Sequence, residues 1–258
     1  TLSNLFCAFF DEPDIGIDKR VKLLSAFVKK DPSNAWLVIK NILPEDLHVF
    51  YNYLSKPVYL SYEKNNAPLS LRDTVRLYKE YCKLAFVCAG NDLDKWCDLY
   101  SKGVFFAYGF KQEAFDGVKS IIKDITIPDD LKYKFANTVR DFIYDGRCFD
   151  RGYAKNTDID DLEHEIYENI AYANYRYKYL YAFEREYKPL KPERYDENSF
   201  TRKWEKRQKI REQEQVKILK MLKSKSFDEL LAFFNLLEDD YSIGRSLAIS
   251  LDMEINLD

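Results

Sequence analysis

The chain has 258 residues, 46% of them hydrophobic and 32% charged, and a formal net charge of −3. That length corresponds to one or two domains with a sizeable core, and the slight acidity excludes a strong general attraction to nucleic acid or anionic membrane. Glycine is scarce, at 8 residues, which argues against all-β folds and nucleotide-binding α/β folds, since both depend on glycine turns.

Apolar residues recur at helical spacing along nearly the whole chain. Ile17, Val21, Leu24 and Val28 form a first stripe. Asp31-Pro32 starts a second helix with an N-cap and a Pro in its first position; it carries Ala35, Trp36, Ile39 and Leu43 and stops at Pro44. A short helix is expected near 45–54. Pro57 and Pro68 then bracket an irregular stretch holding the one β-like run, Val58–Tyr62. Ser70 and Asp73 read as a capping box before Leu71, Val75, Tyr78, Cys82, Ala85, Phe86 and Ala89, with Gly90 as the stop.

A helix over about 92–102 presents Leu93, Trp96 and Tyr100, and one over about 110–124 presents Phe115, Val118 and Ile122. Pro128 opens the next, with Leu131, Phe135, Val139, Phe142 and Ile143, and Gly146 is expected to close it. Residues 147–157 read as a loop. Thr157 and Asp160 form a second capping box before Leu162, Ile166 and Ile170. After Pro189 and Pro192 a long polar helix runs over about 199–224. Ser226 and Glu229 cap a helix with Phe227, Leu230, Leu231 and Phe234, and a last helix holds Ile243, Leu247 and Leu251. The expected fold class is all-α, about ten helices, with residues 1–150 and 151–258 as two continuous sets of repeats.

One internal similarity supports repeats. Val21-Lys-Leu-Leu is followed by six residues and then Asp31, and Val216-Lys-Ile-Leu by six residues and then Ser226. Ala35, Trp36, Ile39 and Ile42 correspond to Leu230, Leu231, Phe234 and Leu237. Such hairpins hide their apolar faces only by stacking on neighbours, which predicts an α-solenoid of stacked helix-turn-helix units.

Motifs for chemistry are sparse. Neither GxxxxGK[ST] nor GxGxxG occurs, and neither His48 nor His164 sits in a nucleophile motif. Glu45-x-x-His48 and Asp161-x-x-His164 have the carboxylate–His spacing of di-iron bundles, but the first falls at a helix start, where acids complement the dipole, and the second in an acidic stretch. No catalytic, cofactor or metal residue is assigned. The five cysteines, Cys7, Cys82, Cys88, Cys97 and Cys148, show no CxxC spacing. Reduced thiols and a cytoplasmic setting are therefore expected, with no membrane span and no secretion signal. Residue 1 is Thr, which points to an internal or C-terminal piece of a larger protein.

Two surfaces stand out. Residues 199–225 hold ten Lys or Arg and three Glu, a basic helix that either tracks a phosphate backbone or is simply solvated beside acidic Glu238, Asp239 and Asp240. Tyr172, Tyr175, Tyr177, Tyr179 and Tyr181 fall mostly at every second position, so at helical pitch they cannot all face a core. With Arg176 and Lys178 they have the composition of a protein-binding patch. Tyr175, Arg176 and Tyr179 are the candidate partner-binding residues.

The segments together resemble the helical repeat region of bacterial antiviral STAND NTPases. The resemblance rests on Lys19-Arg20 through Leu24, Asp31-Pro32, Ala35-Trp36-Leu37 and Ile42-Leu43-Pro44; on Phe135–Ile143 followed by Leu162, Tyr175-Arg176-Tyr177 and Leu180-Tyr181-Ala182-Phe183; and on Lys217–Leu222, Phe227, Leu230-Leu231 and Ser242–Ala248. It implies a non-catalytic sensor region that recognises a phage structural protein, such as a large terminase or a portal. Binding there lets an ATPase elsewhere in the full-length chain oligomerise and switch on an effector.

Overall fold

A computed structural model describes residues 6, 16–44, 70–148, 154–192 and 200–237. Among these residues the chain is all-α, with no strand. In chain order the helices are α1 (Ile17–Lys30), α2 (Pro32–Ile42), α3 (Leu71–Ala89), α4 (Leu93–Lys102), α5 (Val104–Tyr108), α6 (Lys111–Lys123), α7 (Asp129–Cys148), α8 (Asn156–Asp161), α9 (Phe200–Lys225) and α10 (Phe227–Phe234). A π-helical turn spans Leu162–Ile166, and 3-10 segments span Tyr167–Asn169 and Tyr175–Phe183. The expected elements at 45–54, Val58–Tyr62 and Ile243–Leu251 lie outside the described residues.

Side-chain caps start four of these helices, because the first turn has backbone N–H groups with no partner within the helix. Asp31 accepts the Asn34 N–H at 3.1 Å, and its carboxyl is held below the usual range by the Asn34 side-chain and backbone hydrogen bonds. Ser70 accepts from Asp73 N at 3.1 Å and Ser226 from Glu229 N at 3.1 Å. Asp92 accepts from Asp94 N and Lys95 N. Each such cap contributes about 0.5–2 kcal/mol. The two similar sequence segments form the same object, a helix, a one-residue turn that is itself the next N-cap, and a second helix: α1–Asp31–α2 and α9–Ser226–α10.

The described residues group into two compact units. The first contains α1 to α6, together with α8, the π turn and the short 3-10 turn after it; the second contains α7, the 175–183 segment, α9 and α10. The sequence reading divides the chain once, at 150/151, whereas the packing interleaves it. The cause is local chemistry. Lys111 on α6 donates to Asp158 and Asp161, both at 2.8 Å, and Lys119 to Glu165 at 2.9 Å. Ile159, Leu162 and Ile166 are buried beneath those pairs. The two carboxylates hold the Lys111 ammonium above its usual range.

Within the first unit, α1, α2 and α3 contact one another pairwise, and α3 also meets α4 and α5. The core is a run of aromatic contacts. Phe86 stacks on Trp96 at 5.5 Å, Trp96 meets Tyr100 at 6.3 Å, Tyr100 meets Phe105 at 4.9 Å, and Phe106 meets Phe115 edge-on at 6.3 Å. Trp96 Nε1 donates to Gly90 O at 2.8 Å and the fully buried Tyr100 hydroxyl to Ala114 O at 3.1 Å, as buried polar tips must. Lys102 Nζ donates to the carbonyls of Lys40 at 2.9 Å and Leu43 at 2.8 Å, at the end of α2, where the helix itself supplies no N–H to the last carbonyls. Lys102→Met is expected to cost about 1–2 kcal/mol, read as a lower urea midpoint at unchanged slope; an unmoved midpoint would show that water replaces the lysine without loss.

Several boundaries differ from the sequence reading. Helix α7 passes through Gly146 to Cys148, since Phe142, Ile143 and Tyr144 are buried and hold its last turns down. The box expected at Thr157/Asp160 is replaced two residues earlier, where Asp158 accepts from Lys155 N at 3.0 Å. The helix expected through Ile170 runs from α8 into the π and 3-10 turns. Helix α5 has no counterpart in the sequence reading; Gly103 (φ 59°) and Gly109 (φ 78°) bracket it in the left-handed conformation that glycine adopts without steric cost. The four described cysteines, Cys82, Cys88, Cys97 and Cys148, are thiols in no disulfide; burial alone pushes the Cys82 thiol up to about 12.

Candidate functional site

Tyr175, Arg176 and Tyr179 lie together in the second unit on the Tyr175–Phe183 segment. A 3-10 helix has three residues per turn, so side chains three apart share an edge. Tyr177, Leu180 and Phe183 therefore form one edge, Arg176, Tyr179 and Ala182 a second, and Tyr175, Lys178 and Tyr181 a third. Leu180, Ala182 and Phe183 are buried, Lys178 is exposed, and the four tyrosines are half-buried.

Both ends of the segment are clamped. At its start, the carboxylate of Asp129, the first residue of α7, accepts the N–H groups of Ala173 at 2.9 Å and Asn174 at 2.7 Å. Asn174 in turn caps the segment by accepting from Arg176 N at 3.2 Å. The buried Lys132 ammonium donates to Ala171 O, and burial lowers its affinity for the proton. At the other end, Arg211 on α9 donates to Ala182 O at 3.0 Å and Glu184 O at 2.6 Å, and Gln215 to Ala182 O at 2.8 Å. Beneath the segment, Leu180, Ala182 and Phe183 pack on Ile218, Leu219 and Leu222 of α9 and on Leu230 and Phe233 of α10. Phe183 and Phe233 meet edge-on at 5.1 Å.

The three candidate residues are tied into this frame. The Tyr175 hydroxyl donates to the Glu229 carboxylate on α10. Arg176 pairs with the same carboxylate at 2.8 Å, and its buried Nε has no hydrogen-bond partner. The Tyr175 bond, and then the Arg176 charge, hold the Glu229 carboxyl below its usual range. Lys225 Nζ stands 3.9 Å from the Tyr175 ring centre and Arg176 Cζ 5.5 Å from it, and Tyr179 meets Tyr175 edge-on at 6.3 Å. The result is a clamped aromatic and cationic patch across two adjacent edges of the segment, with Arg176 paired to Glu229.

Behind it lies a layer that the sequence did not reveal. Arg140 of α7 is buried with its guanidinium carbon 3.8 Å from the Tyr181 ring centre, and desolvation pushes it down to about 10. Tyr187 stacks on Tyr181 at 6.5 Å and donates to Glu214 at 2.7 Å. Burial pushes the Tyr181 phenol up to about 12. A groove of about 600 Å³ opens beside the segment, its lining including Tyr133, Tyr177, Leu180, Phe183, Glu184, Arg185 and Leu237. Tyr133 and Tyr177 are 44 positions apart in sequence, so no local pattern could have paired them.

The remaining candidates are not joined into one site. Asp161 receives Lys111, and His164 Nδ1 faces Glu168 at 3.1 Å, which raises the imidazole's affinity for a proton. Glu45 and His48 lie outside the described residues. Among the described residues no group of three or more His, Cys, Asp or Glu is placed to hold a metal ion, and no helix is long and apolar enough to cross a membrane. Comparison with protein-family models, with curated proteins and with solved structures finds no match.

Proposed function

We propose that this chain is a non-catalytic, cytoplasmic sensor region of an antiviral STAND NTPase, an α-solenoid of helix-turn-helix repeats that recognises a phage structural protein of the terminase or portal kind. The observation that carries this reading is the recurrence of one unit, helix, one-residue capped turn, helix, at α1–α2 and α9–α10, in segments that also carry the sequence resemblance. The clamped patch of Tyr175, Arg176 and Tyr179, which spans two adjacent edges of the segment, supports a recognition role. Aromatic and Arg anchors that are already ordered lose little entropy on binding.

Pull-down of terminase and portal proteins by the chain is the test. The wild type is expected to capture one of them, and Tyr175→Ala with Arg176→Ala to reduce capture at least tenfold. Because both residues also hold Glu229, the variant's melting curve is measured alongside. Lys178→Glu changes charge on the exposed side of the same segment without touching Glu229, and a similar loss there separates recognition from folding. Undiminished capture by both variants removes this edge from the reading.

The engagement of Tyr175 and Arg176 by Glu229 favours a second reading, a structural or oligomerisation scaffold without a foreign ligand. Light scattering distinguishes the two. A scaffold self-associates and captures neither phage protein; a sensor captures one as a monomer.

A further inference from the structure

The Tyr175–Phe183 segment is a 3-10 helix of nine residues, whereas such helices seldom run beyond three or four, because their hydrogen bonds are poorly aligned. Its own sequence does not ask for that form. It contains no Gly, Pro or β-branched residue, and its Arg, Lys, Leu and Ala are good α-helix formers. The ladder is nevertheless the tight one: Tyr177 N donates to Asn174 O at 3.1 Å and Glu184 N to Tyr181 O at 3.4 Å, each three residues back.

The distance between the clamps supplies the reason. Asp129 of α7 holds the Asn174 N–H at one end, and Arg211 and Gln215 of α9 hold the Ala182 carbonyl at the other. Those two helices also touch each other, with Arg207 Cζ of α9 5.4 Å from the Tyr144 ring centre of α7, so the anchor points are set by packing outside the segment. From Asn174 to Ala182 a 3-10 helix covers about 16 Å at 2.0 Å per residue. An α-helix covers about 12 Å at 1.5 Å per residue. The α form is therefore about 4 Å too short to reach both anchors, more than a hydrogen bond can stretch.

The two forms also present different surfaces. Around the helix axis Tyr175 and Tyr179 stand about 120° apart at three residues per turn and about 40° apart at 3.6. Conversion thus turns Tyr179 by about 80° relative to Tyr175 and dismantles the patch as it stands. Leu180 and Phe183, three positions apart, stay within about 60° of each other in either form, so their packing against α9 and α10 does not forbid the change.

We propose that the Tyr175–Phe183 segment is a two-state switch, 3-10 while both clamps hold and α-helical when the α9 clamp lets go. Arg211 and Gln215 are its positioning residues. The consequence for binding, that only the clamped state presents the Tyr175–Arg176–Tyr179 patch, rests on the recognition reading; the conversion itself does not. A partner that grips the clamped patch favours the 3-10 state by its differential affinity, and so tightens the hold of α9 on the segment.

The test is nuclear magnetic resonance of the full chain, which needs no partner and so examines the switch separately from recognition. Contacts from αH of residue i to NH of i+2 mark a 3-10 helix, and contacts to NH of i+4 mark an α-helix. The wild type is expected to show only the first set over Tyr175–Phe183. Arg211→Leu with Gln215→Leu is expected to replace it by the second, including a new contact from Tyr175 αH to Tyr179 NH. Arg211→Lys keeps the charge but loses the fork that spans the Ala182 and Glu184 carbonyls. It is expected to double the Tyr179 and Tyr181 amide signals, one set for each state, and it decides the matter if the double replacement unfolds the second unit. A wild type with α contacts, a folded double variant that keeps the 3-10 pattern, or a lysine variant with a single set of 3-10 signals overturns the proposal.

Discussion

Replacing Gly117 by Ala is expected to destabilise the protein by about 2 kcal/mol, although the same change in an ordinary helix is stabilising. Gly117 lies inside α6, where Ala is favoured over Gly by about 1 kcal/mol. A Cβ built there meets Cη2 and Cζ2 of Trp96 at 2.5 Å, well inside contact distance. The indole cannot step aside. It is 2% exposed, stacked on Phe86, and held by its hydrogen bond to Gly90 O. Over-packing of that kind costs about 1–3 kcal/mol or more, so the clash outweighs the gain in helix propensity. The measurable result is a melting temperature lower by roughly 4–8 °C, at about 2–4 °C per kcal/mol for a chain of this size. Trp96→Phe alone leaves a gap and loses stability, but in the Gly117→Ala background it is expected to recover part of the loss, a coupling that a double-mutant cycle reads directly. A melting temperature that rises on Gly117→Ala means the ring does not rest on the α6 backbone.

Alkali is expected to unfold the protein steeply between about pH 10.5 and 11.5. Burial raises the phenols of Tyr100, Tyr133, Tyr144, Tyr172, Tyr181 and Tyr187 above their ordinary value, Tyr144 and Tyr181 to about 12. A phenol with a raised folded value contributes its stability below the unfolded value near 10. That contribution is lost as pH climbs toward the folded value, because the unfolded chain releases its proton first. At pH 11 each fully buried phenol has lost about 1.4 kcal/mol, and half-buried ones lose less because solvent screens them. Several together approach the 5–15 kcal/mol that hold a typical domain. Lys132 and Arg140 act in the opposite sense, their lowered values making the fold gain as pH rises, but they are two groups against six. Five of the six phenols are in the second unit, which is expected to yield first. Absorbance at 295 nm and circular dichroism at 222 nm check this. The less buried tyrosines should ionise first with helix content unchanged, and the buried ones together with its collapse. Smooth ionisation of all 20 tyrosines with the helix intact would rule it out.

The helices with strong period and clear caps were legible residue by residue. Asp31, Ser70 and Ser226 cap as their side chains require, and Gly90 ends α3 where it stands. The tyrosine segment was legible only as a conflict. Alternate tyrosines cannot share one face at 3.6 residues per turn, and the chain resolves this by tightening to three per turn, with Asp129, Arg211 and Gln215 holding the ends. Those clamps were invisible because they come from other helices, at least 27 positions away in sequence.

Sequence alone determined that the chain is helical, where most of its helices begin, and that one capped hairpin occurs twice, because caps and apolar period act over three or four neighbouring residues. Only tertiary structure decided that residues 154–169 return to the first unit, that Arg140 sits against Tyr181, and that Glu229 holds Tyr175 and Arg176. Each of these depends on which distant charge or ring arrives beside a side chain, and burial then multiplies the strength of that meeting.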